Sequence, residues 1–237
     1  MLGLTFLVFF ATMFLMHAKD YYLFPIYPML FAAGAVVITR GLVRWPETRR
    51  RWAQRALVTA VVLLSIPVDL LVLPVFSPEK YIAYTRALHL AAPKTEVAHE
   101  GPLPQVFGDQ FGWRELVKEV ANIYWSLPPD VRARTGIFAS NYGEAGALNF
   151  FGPAYKLPPA ICAHQNHYFW GDHGFQGDNL IWLQWGPRGI AQYCKDVQKV
   201  GEHYHPYGMG EENRAINLCR GLKKPLAQVW PALKNWN

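Results

Sequence analysis

The chain has 237 residues, of which 51% are apolar, and a formal net charge of +6. Its first third is membrane-like, the remainder has the size of one globular core, and the arginine excess lies between residues 40 and 55. Such a concentrated basic run is a topology signal, and the C-terminal part has no basic-aromatic patch, so nucleic acid is not an expected partner.

Leu2 to Met16, LGLTFLVFFATMFLM, is uncharged but falls short of the roughly 20 residues that span a bilayer. No basic residue precedes it and no small-x-small cleavage site follows, so it does not read as a signal peptide. It reads as the tail of a transmembrane helix whose beginning lies outside this sequence. Tyr22 to Thr39 is the second apolar run, with Pro25 and Pro28 near its start, where a first helical turn tolerates them. Tyr21, Tyr22 and Tyr27 suit an interfacial aromatic belt, and Ala32 to Ala35 would let another helix approach closely. Ala56 to Phe76 is the third run and is long enough to span. Pro67 is expected to kink it, and Asp69 places a carboxylate near its outer end; its role is structural or unknown.

The segment between the second and third runs, RGLVRWPETRRRWAQR, holds six arginines against one glutamate. Short loops this basic stay in the cytoplasm. The chain start is then cytoplasmic, residues 17–21 lie on the other face, and everything after Phe76 is non-cytoplasmic, which is the periplasm in a Gram-negative cell. The expected organisation is about three transmembrane helices in residues 1–76, then a small α/β extracytoplasmic domain in residues 77–237.

Within that domain Pro78 to Leu90 reads as a juxtamembrane helix and residues 93–108, rich in Pro and Gly, as a linker or extended loop. Trp113 to Tyr124 has helical periodicity, with Leu116, Val117, Val120 and Ile123 on one face, and Leu127 to Asp130 stops it. Strands are expected over Thr135–Ser140, Leu180–Trp185 and Ile216–Cys219. Helices are expected over Glu144–Phe150, Gly189–Gln198 and Pro225–Lys234. Strands alternating with helices favour a small sheet with helices packed on it. Of the three cysteines, Cys194 and Cys219 could pair in an oxidising compartment, but the preferred expectation is that Cys162, Cys194 and Cys219 are all small buried hydrophobes.

Three segments could carry chemistry. Lys19 to Pro28 lies at the outer mouth of a helix pair, where a lysine and tyrosine hydroxyls could hold a lipid-linked phosphate; interfacial anchoring accounts for the same residues. Ser140 to Leu148 is a polar, glycine-bearing strand-to-helix turn, where α/β folds expose ligand-binding groups. Its Glu144 also suits a helix start. No GxGxxG or Walker pattern occurs, and no cofactor is expected. Cys162 to His173 mixes His, Asn and aromatic rings. His164, His167 and His173 match no accepted zinc spacing, whereas rings beside amides resemble sugar-binding surfaces. His203 and His205 read as solvated loop histidines.

The run KDYYLFPIYPMLFAAGA resembles a stretch late in the membrane region of bacterial family 39 glycosyltransferases. These have the GT-C architecture and are relatives of dolichyl-phosphate-mannose protein mannosyltransferase and lipid A aminoarabinose transferase. GIFASNYGEAGALNFFG and LPPAICAHQNHYFWG look like the soluble C-terminal domain of the same proteins. The resemblance covers nearly the whole chain. It implies transfer of a sugar from a polyprenyl-phosphate donor to a protein, lipid or glycan acceptor on the non-cytoplasmic face, with membrane lipid as the surrounding partner. It also implies that the catalytic carboxylate lies in an earlier external loop, so no residue here takes that role. Lys19, Tyr21 and Tyr22 become neighbours of the donor phosphate; Asn141, Tyr142, Glu144, Asn166 and His167 become acceptor-side or domain-docking groups. The alternative is a membrane-anchored glycan-binding or scaffold module without catalysis.

Overall fold

A computed structural model describes residues 1–18, 20–90, 101–184 and 187–236. The chain divides into two compact units, Met1–Ser77 and Pro78–Asn237.

The first unit is helical. Helix α1 spans Leu2–Leu15, a 3-10 helix follows over Asp20–Ile26, and α2 spans Tyr27–Leu42. Pro28 sits in the first turn of α2, as expected, but Pro25 lies inside the 3-10 helix, where its missing N–H ends regular α-helix before Tyr27. Helix α3 covers Glu47–Val72 and takes Pro67 into its interior. It therefore starts inside the arginine-rich segment. Only residues 43–46 connect α2 to α3, and Arg49, Arg50, Arg51 and Arg55 lie on the first turns of α3 instead of in a loop. Pro46 before the first turn and Glu47 within it favour that start, and Glu47 pairs with Arg51 one turn on, at 2.5 Å. Among the described residues two helices are long and apolar enough to cross a membrane, Tyr21–Leu42 and Glu47–Val72; α1, with 14 residues, is shorter. None of the apolar window of Glu47–Val72 is buried, and side chains such as Leu64 and Val37 are about 70% exposed (72% and 69%).

In the second unit α4 (Pro78–Ala87), α5 (Gln105–Gly108), α6 (Trp113–Ser126) and α7 (Pro129–Arg132) precede the sheet. The linker expected over 93–108 thus ends in a helical turn, and its residues 93–100 lie outside the described residues. Strand β1 (Thr135–Ala139) leads into α8 (Tyr142–Phe151) and β2 (Ala160–Cys162). Then come β3 (Asn179–Gln184), α9 (Pro187–Ile190), β4 (Cys194–Glu202), β5 (Ala215–Leu222) and α10 (Leu226–Leu233). The sheet order is β2-β1-β3-β5-β4. β1 is parallel to β2 and β3, while β5 runs antiparallel to β3 and β4.

Alternating side chains divide the core between the two faces of the sheet. Ile137, Ala139, Ile181, Leu183, Ile216 and Leu218 pack with Leu116, Val117 and Val120 of α6 and Leu148 of α8. Phe138, Leu180, Trp182 and Cys219 pack on the other face with Leu226 of α10. The C-terminal segment continues past α10 along the β2 edge: Asn235 accepts from Gln165 N–H at 2.7 Å and donates to Ala163 O at 3.1 Å.

Two expectations fail here. Gly189–Gln198 is not one helix: its first two residues end α9 and its last five, from Cys194, belong to β4. Cys194, Val197 and Val200 recur every three residues and imitate a helical face, but β4 is an edge strand with a register irregularity between Lys199 and Gly201. Charged residues on its open side blunt that edge. Nor are all three cysteines free: Cys194 and Cys219 form a disulfide across the β4–β5 pair, with Cα atoms 5.6 Å apart. Cys162 alone is free and buried.

Candidate strand-end site

The parallel strands β1, β2 and β3 all end on one edge of the sheet, and the antiparallel β5 begins there, because Gln184 pairs with Ala215. Ser140, Asn141, His164 and the 211–214 segment therefore converge on that edge. Parallel strands place ligand-binding groups at their carboxyl ends because the chain leaves the sheet there and exposes new polar groups.

The turn after β1 is fixed by a reciprocal cap. Asn141 Oδ1 accepts from Glu144 N–H at 2.9 Å, and the Glu144 carboxyl accepts from Ser140 N–H at 2.7 Å. Ser140 Oγ donates to Leu183 O, tying the turn to β3. Asn141 Nδ2 donates to Glu212 Oε1 at 2.8 Å, and Arg214 Nε lies 3.1 Å from Glu144 Oε1. Glu144 is only 1% exposed. Burial pushes its carboxyl up to about 8, outweighing the lowering by Arg214, and the Glu212 carboxyl adds to the rise. Glu212 is itself raised by burial. The single positive charge of Arg214 opposes both rises, and the Glu211 carboxyl adds to that of Glu212. Glu144 is therefore a buried brace between the β1–α8 turn and the 211–214 segment, and it does not present its carboxyl to solvent.

What the edge does present is Tyr142, 54% exposed. One face of its ring stacks on the buried His164 imidazole, centroids 5.1 Å apart, and its backbone N–H donates to His164 Nδ1 at 3.3 Å. The strand-to-helix turn and the histidine-rich segment thus meet through Tyr142 and His164. Beyond His164 a 3-10 helix spans Gln165–Trp170. Asn166 is exposed on it, and the His167 ring packs against Trp170 at 4.2 Å. Burial, then the neighbouring His173, lowers the pKa of His167 and favours the neutral imidazole. Burial pushes the Cys162 thiol up to about 11, which keeps it protonated.

Of the residues expected in a site, Asn141, Tyr142 and Glu144 share one turn, and Asn166 and His167 follow the adjacent strand end. Tyr21 and Tyr22 lie in the other unit, on the 3-10 helix after α1, with ring centroids 4.9 Å apart. Lys19 lies outside the described residues. His164, Glu212 and Arg214 were not expected at this site. His203 is not solvated: it is 2% exposed, and its Nδ1 lies 2.7 Å from Glu119 Oε2 on α6. Nearby, Tyr207 donates to Glu79 of α4 at 2.8 Å, and His205 stacks on Phe111. Among the described residues no group of three His, Cys, Asp or Glu side chains is placed to hold a metal ion. No family model, curated protein or solved structure matches the chain.

Proposed function

We propose that this chain is the C-terminal part of an integral membrane glycosyltransferase. In this reading a polyprenyl-phosphate sugar donor is used on the non-cytoplasmic face, and residues 78–237 form an extracytoplasmic domain. The observation that carries the side of the membrane is the Cys194–Cys219 disulfide. Such bonds persist in oxidising compartments, and the six arginines between residues 40 and 55, at the end of α2 and over the first turns of α3, support a cytoplasmic location for the opposite side. Support for a lipid environment comes from α2 and α3, whose apolar surfaces are left exposed. The donor reading rests on the resemblance of the Lys19–Ala35 run.

In the extracytoplasmic domain the surface suited to an acceptor is Tyr142 with Asn166 and His167. A flat, exposed ring offers a stacking face, and the amide and neutral imidazole offer hydrogen bonds to hydroxyls. Glu144 acts behind them as a positioning residue. Its burial also favours the second reading, a glycan-binding module without catalysis, because this strand-end surface offers no exposed carboxylate from Glu144 to serve as a base.

Transfer of radiolabelled sugar from polyprenyl phosphate separates the two. The assay uses membranes carrying this chain alone or joined to its upstream reading frame. Transfer only by the joined form supports the transferase. Retention of glycan with no transfer by either form supports the binding module. In the transferring form Lys19→Ala is expected to weaken donor use by roughly tenfold or more, the value of a hydrogen bond to a charged group. Unchanged donor kinetics would remove Lys19 from the phosphate site.

A further inference from the structure

The 3-10 helix at Gln165–Trp170 and the segment after α10 together build an exposed aromatic face. Phe169 is 67% exposed, Trp170 61% and Trp236 51%. Phe169 and Trp236 have ring centroids 6.0 Å apart. Lys234 Nζ sits over them, 5.7 Å from the Phe169 centroid and 5.1 Å from that of Trp236. Beneath, Tyr168 stacks on Trp230 with an interplanar angle of 10°, and Trp230 Nε1 donates to Tyr168 O at 3.2 Å. With Asn235 bonded to the end of β2, both segments are held before any partner arrives.

Large exposed rings in one patch mark a surface that something else covers. We propose that this face docks on the headgroup–acyl boundary of an anionic phospholipid membrane. The proposal rests on the membrane reading above. Three observations select lipid as the occupant. The first is reach. Five residues, Leu73–Ser77, separate the end of α3 from the second unit, a tether of at most about 18 Å. Such a tether raises the effective concentration at which the second unit as a whole meets a bilayer spanned by α3. The second is charge. Lys234 Nζ lies on the face itself, over Phe169 and Trp236, and an ammonium there complements anionic headgroups. The third is the side-chain set. Trp and Phe rings with a lysine whose stem lies along them match an interfacial anchor, in which rings enter the boundary and the ammonium stays at the phosphates. A sugar would need free ring faces, and Lys234 already covers one face of Tyr168, Phe169 and Trp236.

The test uses the full chain with Cys162→Ala in nanodiscs containing phosphatidylglycerol and a lipid with a nitroxide on its upper acyl chain. A fluorescent thiol probe is placed in turn at Val61→Cys in α3, Phe169→Cys in the aromatic face and Gln198→Cys on β4. β4 lies at the opposite edge of the sheet from β2. The proposal expects the probes at 61 and 169 to lose most of their emission and the probe at 198 to keep it. Adding Trp170→Ser and Trp236→Ser is expected to restore emission at 169. Quenching at 61 without quenching at 169 overturns the docking and leaves the membrane reading standing. Equal quenching at 169 and 198 also overturns it. An unquenched probe at 61 removes the membrane reading and the docking together.

Discussion

Glu144 has the most consequential surroundings of any single side chain. Its carboxyl ionises near 4.5 in an unfolded chain and at about 8 in the fold. Between those values the folded state keeps a proton that the unfolded state has lost. Its contribution to stability is therefore fully present below 4.5 and is lost as pH rises to about 8. Glu144→Gln removes that titration. Denaturant unfolding of both proteins across this range should show the stability difference moving in favour of the variant as pH rises; a difference independent of pH would contradict the buried protonated acid. Tyr142→Ala removes an exposed ring stacked on His164 and is expected to cost about 1 kcal/mol of stability while lowering acceptor binding; undiminished binding would exclude Tyr142 from the acceptor surface. The strand-to-helix turn was readable because Asn141 and Glu144 have cap spacing. Their partners were not. Glu212 and Arg214 reach the turn only because β5 runs antiparallel to β3, and no local pattern encodes that pairing. His203 was misjudged for the same reason: its partner Glu119 lies 84 positions earlier.

At the scale of elements, the sequence was clearest where one periodicity had no rival. α6 buries Leu116, Val117 and Val120 as its spacing demands, and Leu116→Ala should cost about 2–5 kcal/mol, measured by chemical unfolding. A loss below 1 kcal/mol would mean that this face is not core. β2 went unread because three residues are too few to establish alternation. β4 misled because its apolar residues recur every three positions around an irregular register. The pairing of β4 with β5 brings Cys194 to Cys219, and their disulfide closes a separation of 25 residues. Replacing both by serine is expected to lower stability by about 2–4 kcal/mol. Alkylation of the unreduced, unfolded chain should modify Cys162 alone; modification of all three cysteines would contradict the bond.

For the whole molecule, the division into a membrane-like part and an α/β part was visible in composition alone, since hydropathy and charge change abruptly near residue 77. The aromatic face was only half visible. The ring-rich Tyr168–Trp170 stretch stands out in the sequence, but its union with Trp230 and Trp236 depends on the C-terminal segment returning along the β2 edge. The proposed donor and acceptor roles and a persistent disulfide share one requirement, that Pro78–Asn237 lies outside the cytoplasm. A paired reporter fused after Asn237 tests it most directly, using alkaline phosphatase, which is active only outside the cytoplasm, and a fluorescent protein that matures only inside. The account predicts an active phosphatase fusion and a dark fluorescent one. A fluorescent fusion with an inactive phosphatase would place the domain in the cytoplasm and contradict it.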